Sequence, residues 1–393
     1  MDARTEPRRR TSEQNVVAQL AATPGRSARQ WTDLPERCLE LNWPEIGVLA
    51  LQHRVEGLLC AALTEAGCAD QVPASVLSML RRQAARAEAR YRTCHDALAE
   101  LAGRAPNLVS ELVFFKGAGI ATRYESRAHR MLGDFDLIVA EDRADELRRH
   151  LLELGFWEKP GRNGPTYFRN TSDLPEAGVE PACFDVHVDA PPKYNRTEVT
   201  RGPLWLSSTE PSVLGGIACR RLPVEMEIVE LISHSSEHAL SWIHVCVDDD
   251  VRMIRHLDVE LLCEQEQVDA GRVGKLAQEL GLTGEFALGL AVHEALRGGL
   301  PPVLEPLRPL VEPVRDLVDV VALPDGRLET WPVPLAERAF RTDRGALALA
   351  MMPDGRRHRD QWFHWRQGLL EGSEDVAAIA HRAEERVRSV LAV

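Results

Sequence analysis

Two acidic residues with one residue between them carry the clearest chemical meaning in this sequence. They stand in the run GDFDLIV, residues 133–139. Because side chains alternate between the two faces of a strand, Asp134 and Asp136 share one face and the apolar residues share the other, which we expect to be buried. Two neighbouring carboxylates repel each other unless a cation lies between them. Their hard oxygen atoms suit Mg²⁺, so the pattern predicts a platform for one or two divalent ions.

A third carboxylate stands in a second predicted strand, CFDVHVD, at residues 183–189. Its alternation places Asp185 and His187 on one face and apolar residues on the other. If this strand lies next to the first, Asp185 joins Asp134 and Asp136 in a cluster of three carboxylates. Two-metal phosphoryl or nucleotidyl transfer needs such a cluster. For His187, the pattern leaves a structural and a catalytic role open.

Cationic residues precede the acidic strand. The run FFKG ends an apolar strand at Lys116 and Gly117, and a helical segment follows. A turn into a helix presents backbone N–H groups to phosphate oxygens, and glycine permits their close approach. Lys116 adds a point charge, and Arg130, four residues before Asp134, is a further candidate for holding phosphates.

The elements that must position these residues follow from the hydrophobic pattern. Helical periodicity covers about residues 43–104 and returns after Pro223. Between them, short apolar runs alternate with helical segments as strand–helix–strand–helix–strand–strand. The sequence therefore predicts an α+β fold, in which a small mixed sheet with helices is flanked by helical regions on both sides.

This pattern also divides the chain into five parts. We predict a disordered lead-in (1–35), an N-terminal helical region (36–110), a core (111–222), a C-terminal helical region (223–320) and a partly helical extension (321–393). Three tryptophans, Trp331, Trp362 and Trp365, indicate that the extension docks on the rest of the protein.

Composition excludes several classes of protein. The 393 residues carry a formal net charge of −13, which disfavours a dedicated nucleic-acid binder, so no DNA partner is expected. No apolar run is long enough to span a membrane, and we expect no membrane partner. The eight cysteines form no C-x-x-C pair, which disfavours a structural zinc site. Without a secretory pattern at the start of the chain, we expect a cytoplasmic protein.

Taken together, the motifs K-G, then R-x-x-G-D-x-D-h-h-V, then h-D-h-H resemble the uncharacterised bacterial nucleotidyltransferase family of the DNA polymerase beta superfamily. The resemblance covers roughly residues 40 to 265. It implies a polymerase-beta-like core and transfer of a nucleoside monophosphate from a nucleoside triphosphate, such as ATP, to an acceptor, with release of pyrophosphate. The acceptor stays open: we expect a small molecule or a protein side chain more than an RNA end, because the acidic net charge disfavours RNA.

The same resemblance implies roles for individual residues. The catalytic residues, which also bind Mg²⁺, would be Asp134, Asp136 and Asp185. The nucleotide-binding residues would be Lys116, Gly117, Arg130 and Gly133.

Two alternatives stay open. Ala118 stands where the superfamily has a serine, which favours a non-catalytic nucleotidyltransferase-like binding module. The run HSSEH, with His234, Glu237 and His238, matches H-x-x-E-H, a zinc peptidase motif. The acidic run 248–250 further along is interpreted as a solvated helix cap.

Overall fold

A computed structural model of the chain describes residues 12–20, 40–159, 165–169, 181–188, 202–323 and 327–352. Residues 12–20 form a helix, so the prediction of a disordered lead-in over 1–35 is wrong for this part. The helix forms because Val16 and Val17 are fully buried, which stabilises it beyond its own propensity. The rest of the predicted lead-in lies outside the described residues, as do Trp362 and Trp365.

Helices account for most of the described chain. Their bounds are α1 Ser12–Leu20, α2 Trp43–His53, α3 Glu56–Glu65, α4 Ala74–Arg104, α5 Pro106–Val109, α6 Lys116–Ala121, α7 Glu141–Glu153, α8 Gly202–Ser207, α9 Val224–Leu240, α10 Trp242–Cys246, α11 Met253–Gln265, α12 Ala270–Glu279, α13 Thr283–Arg297, α14 Leu335–Arg338 and α15 Arg344–Ala350. Short 3₁₀ turns cover Ala69–Gln71, Arg127–His129, Pro302–Leu310 and Glu312–Asp319.

The described strands form two sheets. Their bounds are β1 Val113–Phe114, β2 Phe135–Val139, β3 Trp157–Lys159, β4 Thr166–Arg169, β5 Ala182–Val188, β6 Glu210–Leu214, β7 Ile217–Arg221, β8 Val320–Ala322 and β9 Leu328–Thr330. Seven of them form one sheet in the order β3-β4-β5-β2-β1-β7-β6, and β8 pairs with β9. The large sheet is mixed, because β2 is parallel to β5 and antiparallel to β1. The predicted α+β class, a mixed sheet with many helices, is confirmed.

Two compact units divide the chain. Glu56–Ala61 and Leu77–Glu227 form one, called here the sheet unit because it contains β1 to β7. The described residues of Met1–Val55, Ala62–Val76 and Ile228–Val393 form the other, the helical unit. No helix in the described part of the chain is both long and apolar enough to cross a bilayer.

The sheet unit is built on one apolar face of its sheet. Phe135 and Leu137 of β2 are fully buried in this core, as the alternation in the sequence predicted. Helix α4 covers them with Leu98 and Leu101, which are also fully buried. Because α4 packs on the sheet in this way, the sheet unit includes more of the chain than the predicted core 111–222. The opposite face of β2 carries Asp136.

In the helical unit, the acidic run 248–250 is not a solvated cap. Asp250 is 1% exposed, and its carboxylate lies 3.1 Å from Arg344 Nε and 3.5 Å from Arg338 Nε. Both arginines are fully buried. The prediction of a solvated cap is therefore wrong, because arginines more than eighty residues away along the chain neutralise this carboxylate.

The part of the predicted extension that the structure describes packs on the helical unit. Trp331 is 3% exposed and lies in an apolar cluster with Trp242 of α10 and Val321 of β8. Trp242 Nε1 donates a hydrogen bond of 2.7 Å to the carbonyl oxygen of Ala348 in α15. This segment therefore docks through apolar burial, as Trp331 indicated.

Candidate functional site

Two acidic strands lie side by side at the centre of the sheet unit. β2 and β5 are parallel neighbours, and their register places Asp136 directly opposite Asp185. Residues paired across strands point to the same face, so both carboxylates stand on the face opposite the apolar core. The adjacency on which the predicted acidic cluster depended is therefore present for these two residues.

Two side chains contact the carboxylate of Asp136. Lys116 Nζ donates a hydrogen bond of 3.0 Å to Asp136 Oδ1, and His187 Nε2 lies 3.3 Å from the same oxygen. His187 Nε2 also lies 3.5 Å from Asp185 Oδ2. The hydroxyl of Thr166 in β4 donates a hydrogen bond of 3.2 Å to Asp185 Oδ1. The two carboxylates are thus joined through one imidazole.

The electrostatics of this cluster are uneven. Burial pushes the pKa of Asp136 upward, but the charge of Lys116 and the hydrogen bond with His187 outweigh it, so the pKa falls below its ordinary value. The pKa of Asp134 is raised by burial and by the charges of Asp136 and Asp185. Burial and the repulsion between neighbouring carboxylates both disfavour the ionised form of Asp134, and an added cation would offset both.

The donor set fits a divalent cation. Asp136, Asp185 and His187 each offer one ligand atom, and these atoms lie within 4.8 Å of one another. Two carboxylates suit Mg²⁺, and the imidazole extends the range to Mn²⁺. Asp134, the third predicted ligand, lies one residue before β2, is partly exposed and is not in this group. His187, which the sequence left between two roles, takes its place.

Lys116 reaches Asp136 from a strained turn. It is the first residue of α6, directly after β1, and its φ of 49° lies in the left-handed region. A residue other than glycine in this backbone conformation costs on the order of 1–3 kcal/mol, which the surrounding contacts must offset. Its ammonium lies 4.9 Å from the ring centre of Phe115, which meets the ring of His187 edge-on at 5.4 Å. Strand, turn and aromatic ring together fix the direction of the lysine.

Gly117 lies close to two neighbouring side chains. A Cβ added there would lie 2.8 Å from Leu132 Cδ2 and 3.9 Å from Arg130 Cζ. The guanidinium of Arg130 is therefore held alongside the turn, with Nη1 donating a hydrogen bond of 2.5 Å to the carbonyl oxygen of Met131. Only 9% of Arg130 is exposed, so its side chain is buried and fixed in place rather than free at the surface. Gly133, the last predicted nucleotide-binding residue, is exposed.

Arg90 is a site residue that sequence reasoning missed. It lies on α4, is buried, and its Nη2 donates a hydrogen bond to the carbonyl oxygen of Gly133, directly before Asp134. In the next turn of the same helix, Cys94 Sγ donates a hydrogen bond of 3.8 Å to the carbonyl oxygen of Cys183, two residues before Asp185. Helix α4 therefore holds the backbone directly before Asp134 and two residues before Asp185. The sequence showed only an amphipathic helix rich in arginine.

A second group of potential metal ligands lies in the helical unit. His238, His244 and Asp249 offer ligand atoms within 4.8 Å of one another. However, Arg252 Nε and Arg255 Nη2 lie 2.8 and 2.9 Å from the same oxygen, Oδ1, of Asp249. Two guanidinium groups on one carboxylate already neutralise it and repel a divalent cation.

The H-x-x-E-H motif is only partly used in this group. The rings of His234 and His238 lie 4.4 Å apart on α9, as the spacing predicted. His234 and Glu237 do not belong to the ligand group that contains His238. Burial lowers the pKa of His238 to about 4, so its imidazole is neutral at pH 7. The arrangement is that of a buried ion-pair network rather than a peptidase centre.

Comparison with known proteins yields a family match. Residues 40–298 match the model of a family described as an uncharacterised nucleotidyltransferase. Among solved structures, an antigenic nucleotidyltransferase-like protein from Paracoccidioides brasiliensis is 16% identical, with 49% of this chain and 93% of that one covered and a TM-score of 0.30. Curated proteins give no match.

Proposed function

The chain belongs to the uncharacterised nucleotidyltransferase family, and from this premise we propose that it is a Mg²⁺-dependent enzyme that moves a nucleoside monophosphate from a nucleoside triphosphate to an acceptor. An oxygen of the acceptor forms a bond to the α-phosphorus. The bond from that phosphorus to the β-phosphate oxygen breaks, and pyrophosphate leaves. The acceptor hydroxyl releases its proton to a carboxylate of the site or to water.

The observation that carries this proposal is the direct pairing of Asp136 with Asp185 across β2 and β5. Their carboxylates and His187 present ligand atoms within 4.8 Å of one another. When bound there, Mg²⁺ supplies charge neutralisation for the phosphates and lowers the pKa of the acceptor hydroxyl. Asp134 adds a third negative charge beside the pair and completes the predicted set of catalytic carboxylates. Burial first, and then the charges of Asp136 and Asp185, raise the pKa of Asp134, and a cation beside all three carboxylates would offset both causes.

The predicted nucleotide-binding residues lie on the β1 side of these carboxylates. Lys116 pairs with Asp136 in this structure. With a cation held by Asp136 and Asp185, the ammonium of Lys116 would be placed to bind a phosphate oxygen of the triphosphate. Arg130, held beside Gly117, supplies a second positive charge, and the exposed Gly133 leaves room next to Asp134. The alanine at 118 leaves this phosphate subsite without a hydroxyl ligand, so these two cations carry more of the binding.

The remaining parts of the proposal concern fold and partners. We assign the sheet unit to a polymerase-beta-like core, since acidic residues on two central strands of a small mixed sheet suit that arrangement. The acceptor is a small molecule or a protein side chain, because a net charge of −13 disfavours a nucleic-acid end. The proposed compartment is the cytoplasm.

Product analysis tests this proposal. The full chain is incubated with each labelled nucleoside triphosphate, Mg²⁺ and a metabolite or protein extract, and the products are searched by mass spectrometry for an added nucleoside monophosphate. We expect an adduct and pyrophosphate with wild type and none with Asp185→Asn. The matched control is Asp96→Asn on α4, whose carboxylate is exposed and lies outside the cluster. Equal labelling by wild type and Asp185→Asn would refute the assignment.

A further inference from the structure

An aromatic pair, of which one member is exposed and the other half-buried, lies at the edge of the sheet unit. Trp157 in the edge strand β3 is 51% exposed, although tryptophan is usually buried in proteins. Its ring stacks on Phe168 of β4, with ring centres 4.6 Å apart and planes inclined by 20°. One ring face of Phe168 is thereby covered, and the indole presents a flat apolar surface to solvent. Such a surface suits the planar ring of a ligand.

The sheet register places this pair on the same face as the carboxylates. Trp157 is opposite Phe168, and Phe168 is opposite Cys183, two residues before Asp185. Residues two apart in a strand share a face, so the aromatic pair and Asp185 point the same way. The hydrogen bond between Thr166 and Asp185 confirms the orientation, because Thr166 is two residues before Phe168. Two strand spacings and a two-residue offset put the Cα atoms of Trp157 and Asp185 about 12 Å apart.

Charge distinguishes the two sides of the carboxylates. Lys116 and Arg130 lie toward β1, whereas the aromatic pair lies on the other side, beyond β5. In an in-line displacement the attacking oxygen and the departing pyrophosphate stand on opposite sides of the α-phosphorus. If the cations hold the departing phosphates, the acceptor approaches from the side of the aromatic pair.

We propose that Trp157 and Phe168 bind the acceptor, and that the acceptor carries a planar aromatic ring in addition to the hydroxyl that is modified. This inference rests on the proposed nucleotidyl transfer and specifies its second substrate. The ring stacks on the indole, and the hydroxyl reaches past Thr166 toward Asp185. The acceptor oxygen forms the new bond to phosphorus as the bond to pyrophosphate breaks.

Binding measurements test the proposal without knowledge of the natural acceptor. The probe is 2-naphthol, and its saturated counterpart decahydro-2-naphthol has the hydroxyl and similar size but no π-face. Binding to the full chain is followed by ligand-observed NMR in the presence of Mg²⁺ and a non-hydrolysable ATP analogue. We expect 2-naphthol to bind wild type more tightly than its counterpart. Trp157→Ala should raise the dissociation constant by roughly fivefold to a hundredfold, since ring stacking contributes about 1–3 kcal/mol.

Two control variants make the result specific. Trp157→Phe keeps a ring and should restore most of the binding. Val213→Ala removes another exposed apolar side chain, from β6 at the opposite end of the sheet order, and should change nothing. Binding of the ATP analogue should be the same in all variants, because the aromatic pair lies away from the cations.

Three results would overturn the proposal. The first is failure of 2-naphthol to bind wild type, and the second is equal binding by Trp157→Ala. The third is weaker binding of the ATP analogue by Trp157→Ala, which would assign the aromatic pair to the nucleobase instead. Failure of the proposed function is distinguishable, since the ATP analogue would then not bind wild type at all.

Discussion

Replacing Lys116 by methionine removes the positive charge that neutralises Asp136 while keeping the length of the side chain. In the structure Lys116 Nζ and Asp136 Oδ1 are 3.0 Å apart, and the two side chains are only 17% and 10% exposed. At an effective dielectric constant of about 20, their gross attraction is roughly 5 kcal/mol. Desolvation of both groups opposes part of it, so we expect Lys116→Met to lower the free energy of unfolding by about 3 kcal/mol.

The pH dependence of this loss follows from the pKa of Asp136. Lys116 lowers that pKa in wild type, so the stability contributed by the ionised carboxylate is present above the ordinary value of 3.8 and is lost as the pH falls through the lowered pKa. Without the lysine, burial dominates and raises the pKa, and the carboxyl takes up a proton in the folded state. The difference in stability between wild type and variant should therefore be largest near pH 8 and shrink toward pH 4.

Urea unfolding at several pH values, with and without Mg²⁺, measures this effect. Mg²⁺ should stabilise Lys116→Met more than wild type, because the cation replaces the missing charge. The double variant with Asp136→Asn should recover most of the loss, since no buried charge is left unpaired. Lys275→Met, which removes an exposed lysine paired with Glu279 at 3.5 Å, serves as the control and should change stability by less than about 0.5 kcal/mol. A loss of that small size for Lys116→Met, or one that does not vary with pH, would refute the reasoning.

Three further predictions concern other parts of the molecule. Arg90→Met removes the hydrogen bond to the backbone ahead of the first acidic strand, so we expect Mn²⁺ to bind at least several-fold more weakly in an equilibrium titration. Arg90→Lys should bind Mn²⁺ with intermediate affinity. Unchanged affinity in both variants would show that this hydrogen bond is dispensable. Burial lowers the pKa of His293 to about 4, so the free energy of unfolding should fall by up to about 3 kcal/mol as the pH falls from 6.5 to 4. His293→Gln should make the free energy of unfolding, measured with urea, depend less on pH in this range. An equal pH dependence in wild type and variant would contradict this prediction. A Cβ on Gly289 would lie 2.1 Å from the carbonyl oxygen of Ile232, so Gly289→Ala should lower the thermal midpoint of unfolding by the equivalent of about 2 kcal/mol or more. Gly103→Ala, whose added Cβ would have nothing within 4 Å, should not lower it. Equal midpoints for the two variants would refute the close helix contact.

The acidic strands could be predicted from the sequence because their signal is local. Alternation of acidic and apolar residues assigned both the faces and the buried core of β2, and Phe135 and Leu137 are buried as expected. The sequence could state the adjacency of β2 and β5 only as a condition, because strand order depends on contacts between distant segments. The same limit applies to Lys116: its charge was visible, but its pairing with Asp136 twenty residues later was not.

Other features depend on long-range contacts that leave no local trace. The hairpin of β6 and β7 turns at Gly215 and Gly216, both with positive φ, which glycine adopts without strain. Its place next to β1, in parallel, could not be derived from that turn. In the sequence Arg90 does not differ from the other arginines of an amphipathic helix, because its hydrogen bond to Gly133 joins residues far apart in the chain.

Binding of Mn²⁺, followed by the EPR signal of the free ion, tests most directly whether the paired strands form a cation site. We predict that wild type binds Mn²⁺, that Mg²⁺ displaces it, and that Asp136→Asn and Asp185→Asn each weaken binding at least tenfold, whereas Asp96→Asn does not. Wild type that leaves all the Mn²⁺ free, or variants that bind it as tightly as wild type, would contradict the account.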